Sequence, residues 1–216
     1  VIIPARFNGP PGSANGGYAA GLFSEALGGG FEVMLLRPPP LDTQLDIVGD
    51  ELRDGDNVVA KARRAVVPED APEPVSLAEA EEASKRYAGF EHHAYPTCFT
   101  CGPARDDGLG IYAGAVTGRH GVVAAPWTPE ADLRPEIVWA ALDCPAGWAV
   151  DDFQREGVLL GRMAASIHAL PQAGVPHVVM GWRIGEEGRK RFAGSALFTD
   201  EGERLARARS TWIGPA

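Results

Sequence analysis

Val138-Trp139-Ala140-Ala141-Leu142-Asp143-Cys144-Pro145 is a run of five apolar residues closed by an acid, a thiol and a proline. Its length and composition predict a buried helix beginning near Pro135, where proline suits a first helical turn. Pro145 cannot donate a hydrogen bond to the carbonyl of Ala141, and it biases Cys144 away from helical angles, so the helix is expected to break or kink there. Four strand-like segments follow, at residues 158–169, 175–184, 189–199 and 205–213. Between them lie Pro171-Gln172-Ala173-Gly174, Glu186-Glu187-Gly188 and Asp200-Glu201-Gly202, turn-forming groups of the length that joins neighbouring antiparallel strands. A helix followed by an antiparallel meander makes this half α+β.

Working outward, the amino-terminal half repeats the pattern. A Gly- and Pro-rich loop at residues 7–17 precedes Tyr18, Leu22, Phe23, Ala26 and Leu27 at helical spacing, and Gly28-Gly29-Gly30 ends the run. Residues 31–36 read as a strand, Pro38-Pro39-Pro40 as a rigid break and residues 45–52 as a second strand. Asp54-Gly55 signals a hairpin into a third strand at 57–67. The acidic, Pro-rich stretch 68–74 marks a linker, and residues 76–87 a surface helix with Ser76 and Glu79 placed like a capping box. The second unit opens on Cys98-Phe99-Thr100-Cys101-Gly102-Pro103, followed by an expected pairing of residues 109–112 with 122–127. The division expected is 1–75, a linker with a surface helix at 76–95, and 96–216, the first half being short enough to lack strands.

At 216 residues and 45 % hydrophobic content the chain can build a proper core. No stretch approaches the roughly 20 apolar residues of a membrane span. Val1-Ile2-Ile3-Pro4 is too short for a signal-peptide core, so a soluble, cytoplasmic protein is expected. The first residue is not methionine, which suggests numbering that begins inside a longer chain. A net charge of −9 disfavours general attraction to nucleic acid or anionic membrane. Arg183, Arg189, Lys190 and Arg191 crowd one segment and read first as a solvated face. Three cysteines do not make a disulfide framework and fit a reducing compartment.

Gly188-Arg189-Lys190, Ala193-Gly194-Ser195-Ala196-Leu197-Phe198, Gly202, Leu205-Ala206-Arg207-Ala208 and Thr211-Trp212 resemble the last two strands of hotdog-fold acyl-CoA thioesterases. Asn15-Gly16-Gly17-Tyr18-Ala19-Ala20 is similar to the Gly-Gly start of the central helix in those families, and Leu36-Arg37-Pro38 to the bend in the following strand. Two such halves in one polypeptide resemble the double-hotdog thioesterases, whose antiparallel sheets each wrap a central helix. The resemblance implies a substrate at the junction of two units, an acyl thioester or related small apolar ligand, with no cofactor and room for a homo-oligomer. It puts Gly16, Gly17 and Tyr18 at one end of the site and a carboxylate, Asp143, at the other.

The residues themselves carry part of this reading. A helix amino terminus offers unpaired N–H groups to an oxyanion, and glycines let substrate approach the backbone. Asn15 either adds a side-chain donor or caps the helix. Asp143 follows an apolar run, where desolvation raises its pKa; beside a helix break it would also meet the negative end of its own dipole and suit a general base. The bland alternative is a structural acceptor for the broken turn. Glu25 is the weaker helical carboxylate. Cys98 and Cys101 have the spacing of half a zinc site near His92 and His93, but one such pair lacks a second set. They read as a tight turn with partly buried thiols and no metal, ahead of zinc or a redox pair. Cys144, His168 and His177 read as packing residues. The expectation is thioester hydrolysis, with ligand binding without turnover as the alternative. A hotdog dehydratase is weaker, because its paired His and acid are not found.

Overall fold

A computed structural model describes residues 1–130, 133–150 and 158–214, and all statements below concern these. Strands β1 (Phe31–Leu35), β2 (Asp46–Val48), β3 (Glu51–Asp54) and β4 (Asn57–Arg64) follow helix α1 (Gly16–Ala26). Helix α2 (Leu77–Ser84) precedes β5 (Gly114–Ala115), β6 (Val122–Trp127) and helix α3 (Pro135–Trp148). The chain ends on β7 (Leu159–Ile167), β8 (His177–Glu187), β9 (Lys190–Thr199) and β10 (Arg204–Ile213). The ten strands form one sheet in the order β2-β3-β4-β1-β7-β10-β9-β8-β6-β5, with antiparallel pairings throughout.

The expected meander holds for β8-β9-β10 and fails at β7, which lies on the far side of β10, so Pro171–Gly174 belongs to a crossover rather than a hairpin. That displacement leaves the other edge of β7 open to β1, through Glu32↔Ala164, Val33↔Met163 and Met34↔Arg162. The strands of the two halves therefore join edge to edge, which covers edges that would otherwise template aggregation. The strand expected over residues 45–52 is a hairpin of β2 and β3, because Gly49 takes φ +61 and turns the chain. The hairpin partner of β6 is Gly114–Ala115, not residues 109–112, and its other edge pairs with β8.

Helices α1 and α3 lie side by side on one face of the sheet and cross at glycines. A Cβ on Gly21 would sit 2.7 Å from the Trp139 ring, and one on Gly17 would sit 2.5 Å from Asp143 Cβ. Gly17 and Gly21 are one helical turn apart, as are Trp139 and Asp143, so the two helices run antiparallel along a shared seam. The break expected at Pro145 does not occur: α3 continues through it to Trp148, and Ala149 N–H bonds the Pro145 carbonyl at 3.1 Å. An internal proline costs about 3 kcal/mol, but every α3 residue from Glu136 to Trp148 is buried. Gly181 of β8 lets the helix lie directly on the sheet, since a Cβ there would fall 2.0 Å from the Pro145 carbonyl oxygen. Packing outweighs the lost bond.

The capping box of Ser76 and Glu79 is present at the start of α2. This helix is not a free surface element: Ala80 and Ala83 pack with Val178, Met180 and Phe198 in a second core cluster. The acidic stretch before it is clamped to β10, Asp70 by Arg209 at 2.5 Å and Glu69 by Arg204 and Arg207.

Candidate active site

The amino terminus of α1 is held by two side chains. Asn15 caps it, its Oδ1 accepting from Tyr18 N–H at 2.8 Å, and Asp143 Oδ2 accepts from Gly17 N–H at 2.9 Å. Asn15 N–H in turn bonds the Phe7 carbonyl at 2.7 Å, which fixes the loop leading into the helix. The two ends of the expected site are thus in direct contact, and the Gly17 N–H is taken by the carboxyl rather than left for substrate. As the first helical residue, Gly16 has no intrahelical acceptor for its N–H. No other hydrogen bond engages it among the described residues.

Asp143 is 3 % exposed, and burial raises its pKa from 3.8 to about 7, opposed by the Gly17 N–H and the Asn15 side chain. The cause differs from the sequence expectation. Because α3 does not end at Pro145, Asp143 meets the positive end of α1 and not the negative end of its own helix, so the dipole lowers the pKa, while desolvation first and the neighbouring Cys98 sulfur second raise it. Its second oxygen, Oδ1, is buried with no hydrogen-bond partner among the described residues. A carboxyl with one oxygen anchored and the other free is oriented to exchange a proton.

A cavity of about 300 Å³ opens at this point, where β1, β7 and β10 of the joined sheet meet the start of α1. Asn15, Gly16, Asp143 and Cys144 line it on the helix side, and Leu35, Leu160, Trp212 and Ile213 on the sheet side. Leu36 and Arg37, both exposed, also line it. The volume lies at the lower bound of small-molecule sites and its walls are mostly apolar.

Of the other candidates, Tyr18 turns away, stacking on Phe7 at 3.8 Å between ring centroids, and does not line the cavity. Glu25 is exposed near the other end of α1. His177 is buried with Nδ1 2.7 Å from the Val175 carbonyl, and His168 pairs with Arg207. Arg183 and Arg191 share Glu186, and Lys190 faces Glu187 at 3.9 Å, so that basic segment is largely self-compensated. Sequence reasoning missed the place of Cys144. It sits beside Cys98, Sγ to Sγ 3.7 Å, while Asn15 Nδ2 lies 3.9 Å from both sulfurs. The i to i+1 relation of Asp143 and Cys144 was the available signal: if the acid faces α1, the next residue faces the loop packed beside it.

No family model matches the sequence, and no curated protein matches it. Solved structures do. The tesB protein of Mycobacterium avium subspecies paratuberculosis is 15 % identical with a TM-score of 0.58, covering 100 % of this chain and 91 % of that one. A conserved protein of unknown function with a hot dog fold from Alicyclobacillus acidocaldarius is 12 % identical at TM-score 0.64, over 98 % of this chain and 90 % of that one. A protein from Novosphingobium aromaticivorans, named as a candidate thioesterase, is 13 % identical at TM-score 0.57, over 100 % and 94 % of the two chains. At such identities the likeness shows the fold: this chain is α+β and has the hotdog fold across its length.

Proposed function

We propose that this protein hydrolyses a small acyl thioester, with Asp143 as the general base, in a double hotdog whose two units divide near residues 75 and 96. The observation that carries the reading is the half-anchored Asp143 carboxyl beside an apolar cavity at the start of α1. The names of two structural neighbours, a tesB protein and a candidate thioesterase, agree with it.

In this mechanism the acyl group occupies the apolar cavity, and water attacks the thioester carbon. Asp143 Oδ1 takes the proton from that water, while Gly17 N–H holds Oδ2 in place. The oxyanion forms near Gly16, the first N–H of α1, where the helix dipole favours negative charge. Collapse of the tetrahedral intermediate breaks the carbon–sulfur bond, and the departing thiolate recovers the proton from Asp143. A pKa of about 7 suits both steps, since the group must accept and return a proton near neutrality. Asn15 acts as the helix cap through Oδ1, which accepts from Tyr18 N–H, and as a positioning residue beside Asp143, not as an oxyanion donor, because its donor Nδ2 is directed at Thr100 Oγ1 and the Cys98 and Cys144 sulfurs. A cavity of about 300 Å³ favours short or compact aromatic acyl groups over long chains.

The test is thiol release from short, medium, long and aromatic acyl-CoAs. Turnover is expected with short or aromatic substrates. Thermal stabilisation by these compounds without thiol release would instead support a binding module, because any ligand that prefers the native state raises apparent stability.

A further inference from the structure

We propose that Cys98, Cys101 and Cys144 form a zinc site in which three thiolates hold one ion. Their sulfurs all lie within 4.8 Å of one another, and each residue is buried. Tetrahedral zinc with bonds of about 2.3 Å places its sulfur ligands roughly 3.8 Å apart, and the Cys98–Cys144 separation is 3.7 Å. Two of the ligands come from a Cys-x-x-Cys-Gly turn and the third from helix α3, so the ion would tie the loop at residues 95–102 to the helix.

The turn has the build of a thiolate cradle. Gly102 N–H closes the turn on the Cys98 carbonyl at 2.9 Å. Only glycine fits at position 102, where a Cβ would fall 2.4 Å from Cys98 N. The surroundings supply further donors. Asn15 Nδ2 lies 3.9 Å from the sulfurs of Cys98 and Cys144, and Tyr87 Oη anchors the Cys101 carbonyl at 2.8 Å. Such outer groups orient metal ligands and offset their charge.

His93 is an outer partner rather than a ligand. Its Nδ1 accepts from Tyr95 N–H at 2.9 Å, which leaves the neutral ring's proton on Nε2, and Nε2 faces Cys101 Sγ at 3.3 Å. A donor to the sulfur is what that tautomer provides. Three protein ligands leave the fourth tetrahedral position for water or for a ligand from the adjoining cavity, whose lining includes all three cysteines. Soft thiolates select zinc over magnesium or calcium. Binding displaces the thiol protons to solvent, so affinity rises with pH.

The experiment uses untagged protein purified under reducing conditions, saturated with Zn²⁺ and desalted, with metal measured by mass spectrometry. About one zinc per chain is expected, as is a tetrahedral thiolate spectrum on replacement by Co²⁺. Asp143→Asn should keep the zinc, which separates this site from the hydrolase reading. His93→Gln should also keep about one equivalent, with affinity lowered roughly 10- to 100-fold. Cys144→Ser is expected to lose the ion, and because that variant could also unfold, the wild-type stoichiometry and cobalt spectrum stand as the primary readout. Less than about 0.1 zinc per wild-type chain, or a Cys98–Cys144 disulfide in its place, would overturn the proposal.

Discussion

Gly17 N–H and Asp143 Oδ2, 126 positions apart in sequence, meet at 2.9 Å where the start of one central helix touches the middle of the other. The contact exists because Gly17 has no side chain: a Cβ would lie 2.5 Å from Asp143 Cβ and 2.7 Å from the Trp139 carbonyl. Gly17→Ala must therefore push α1 off α3. A destabilisation of about 1–3 kcal/mol is expected from overpacking, together with loss of thioester hydrolysis. Gly16→Ala is the control, since its Cβ meets the movable end of Leu160 at 2.9 Å. Denaturant unfolding of the two variants should separate them clearly.

Asp143 also makes stability depend on pH. Its pKa is raised on folding, so the neutral form is favoured by the native state, and the associated stability is present below the unfolded value and lost as pH rises through about 7. The displacement from 3.8 to about 7 corresponds to roughly 4 kcal/mol as an upper bound. Asp143→Asn keeps an acceptor for Gly17 N–H without a titrating group. It should be more stable than wild type at pH 8 and close to it at pH 4, as read from thermal midpoints across that range.

Arg37 is exposed, lines the cavity, and has no ion pair among the described residues. It is the charge best placed to meet the phosphates of a coenzyme A carrier. Arg37→Ala should raise KM for an acyl-CoA several-fold with kcat little changed, and leave a small uncharged thioester such as an acyl-N-acetylcysteamine unaffected. Equal effects on both substrates would remove the carrier role.

Much of the fold was legible because it is written in local pattern. The apolar run at 138–142, the glycine stop after α1, and the turn groups before β9 and β10 each depend on neighbours in sequence. What was not legible depends on distant packing. Pro145 reads as a helix breaker until the burial of α3 against Gly181 is known, and β7 reads as part of a meander until its pairing with both β1 and β10 is seen. At the site, Asn15, Gly16, Gly17 and Asp143 come together at the start of α1 while Tyr18 turns away, and the contact of Gly17 with Asp143 reverses one electrostatic contribution. Asp143 faces the positive end of α1 instead of the negative end of α3. Cys144 reads as a packing residue because its thiol partners lie 43 and 46 positions earlier, a separation that only the folded loop closes.

The central claim, that Asp143 is the base for hydrolysis, is tested most directly by the pH dependence of thiol release in wild type and Asp143→Asn. Wild-type turnover should rise through pH of about 7 and level off above it, following ionisation of the carboxyl. The folded Asn variant should lose roughly 100-fold or more in kcat at pH 8 and show no such rise. A folded Asp143→Asn protein with unchanged kcat and the same profile would contradict the account.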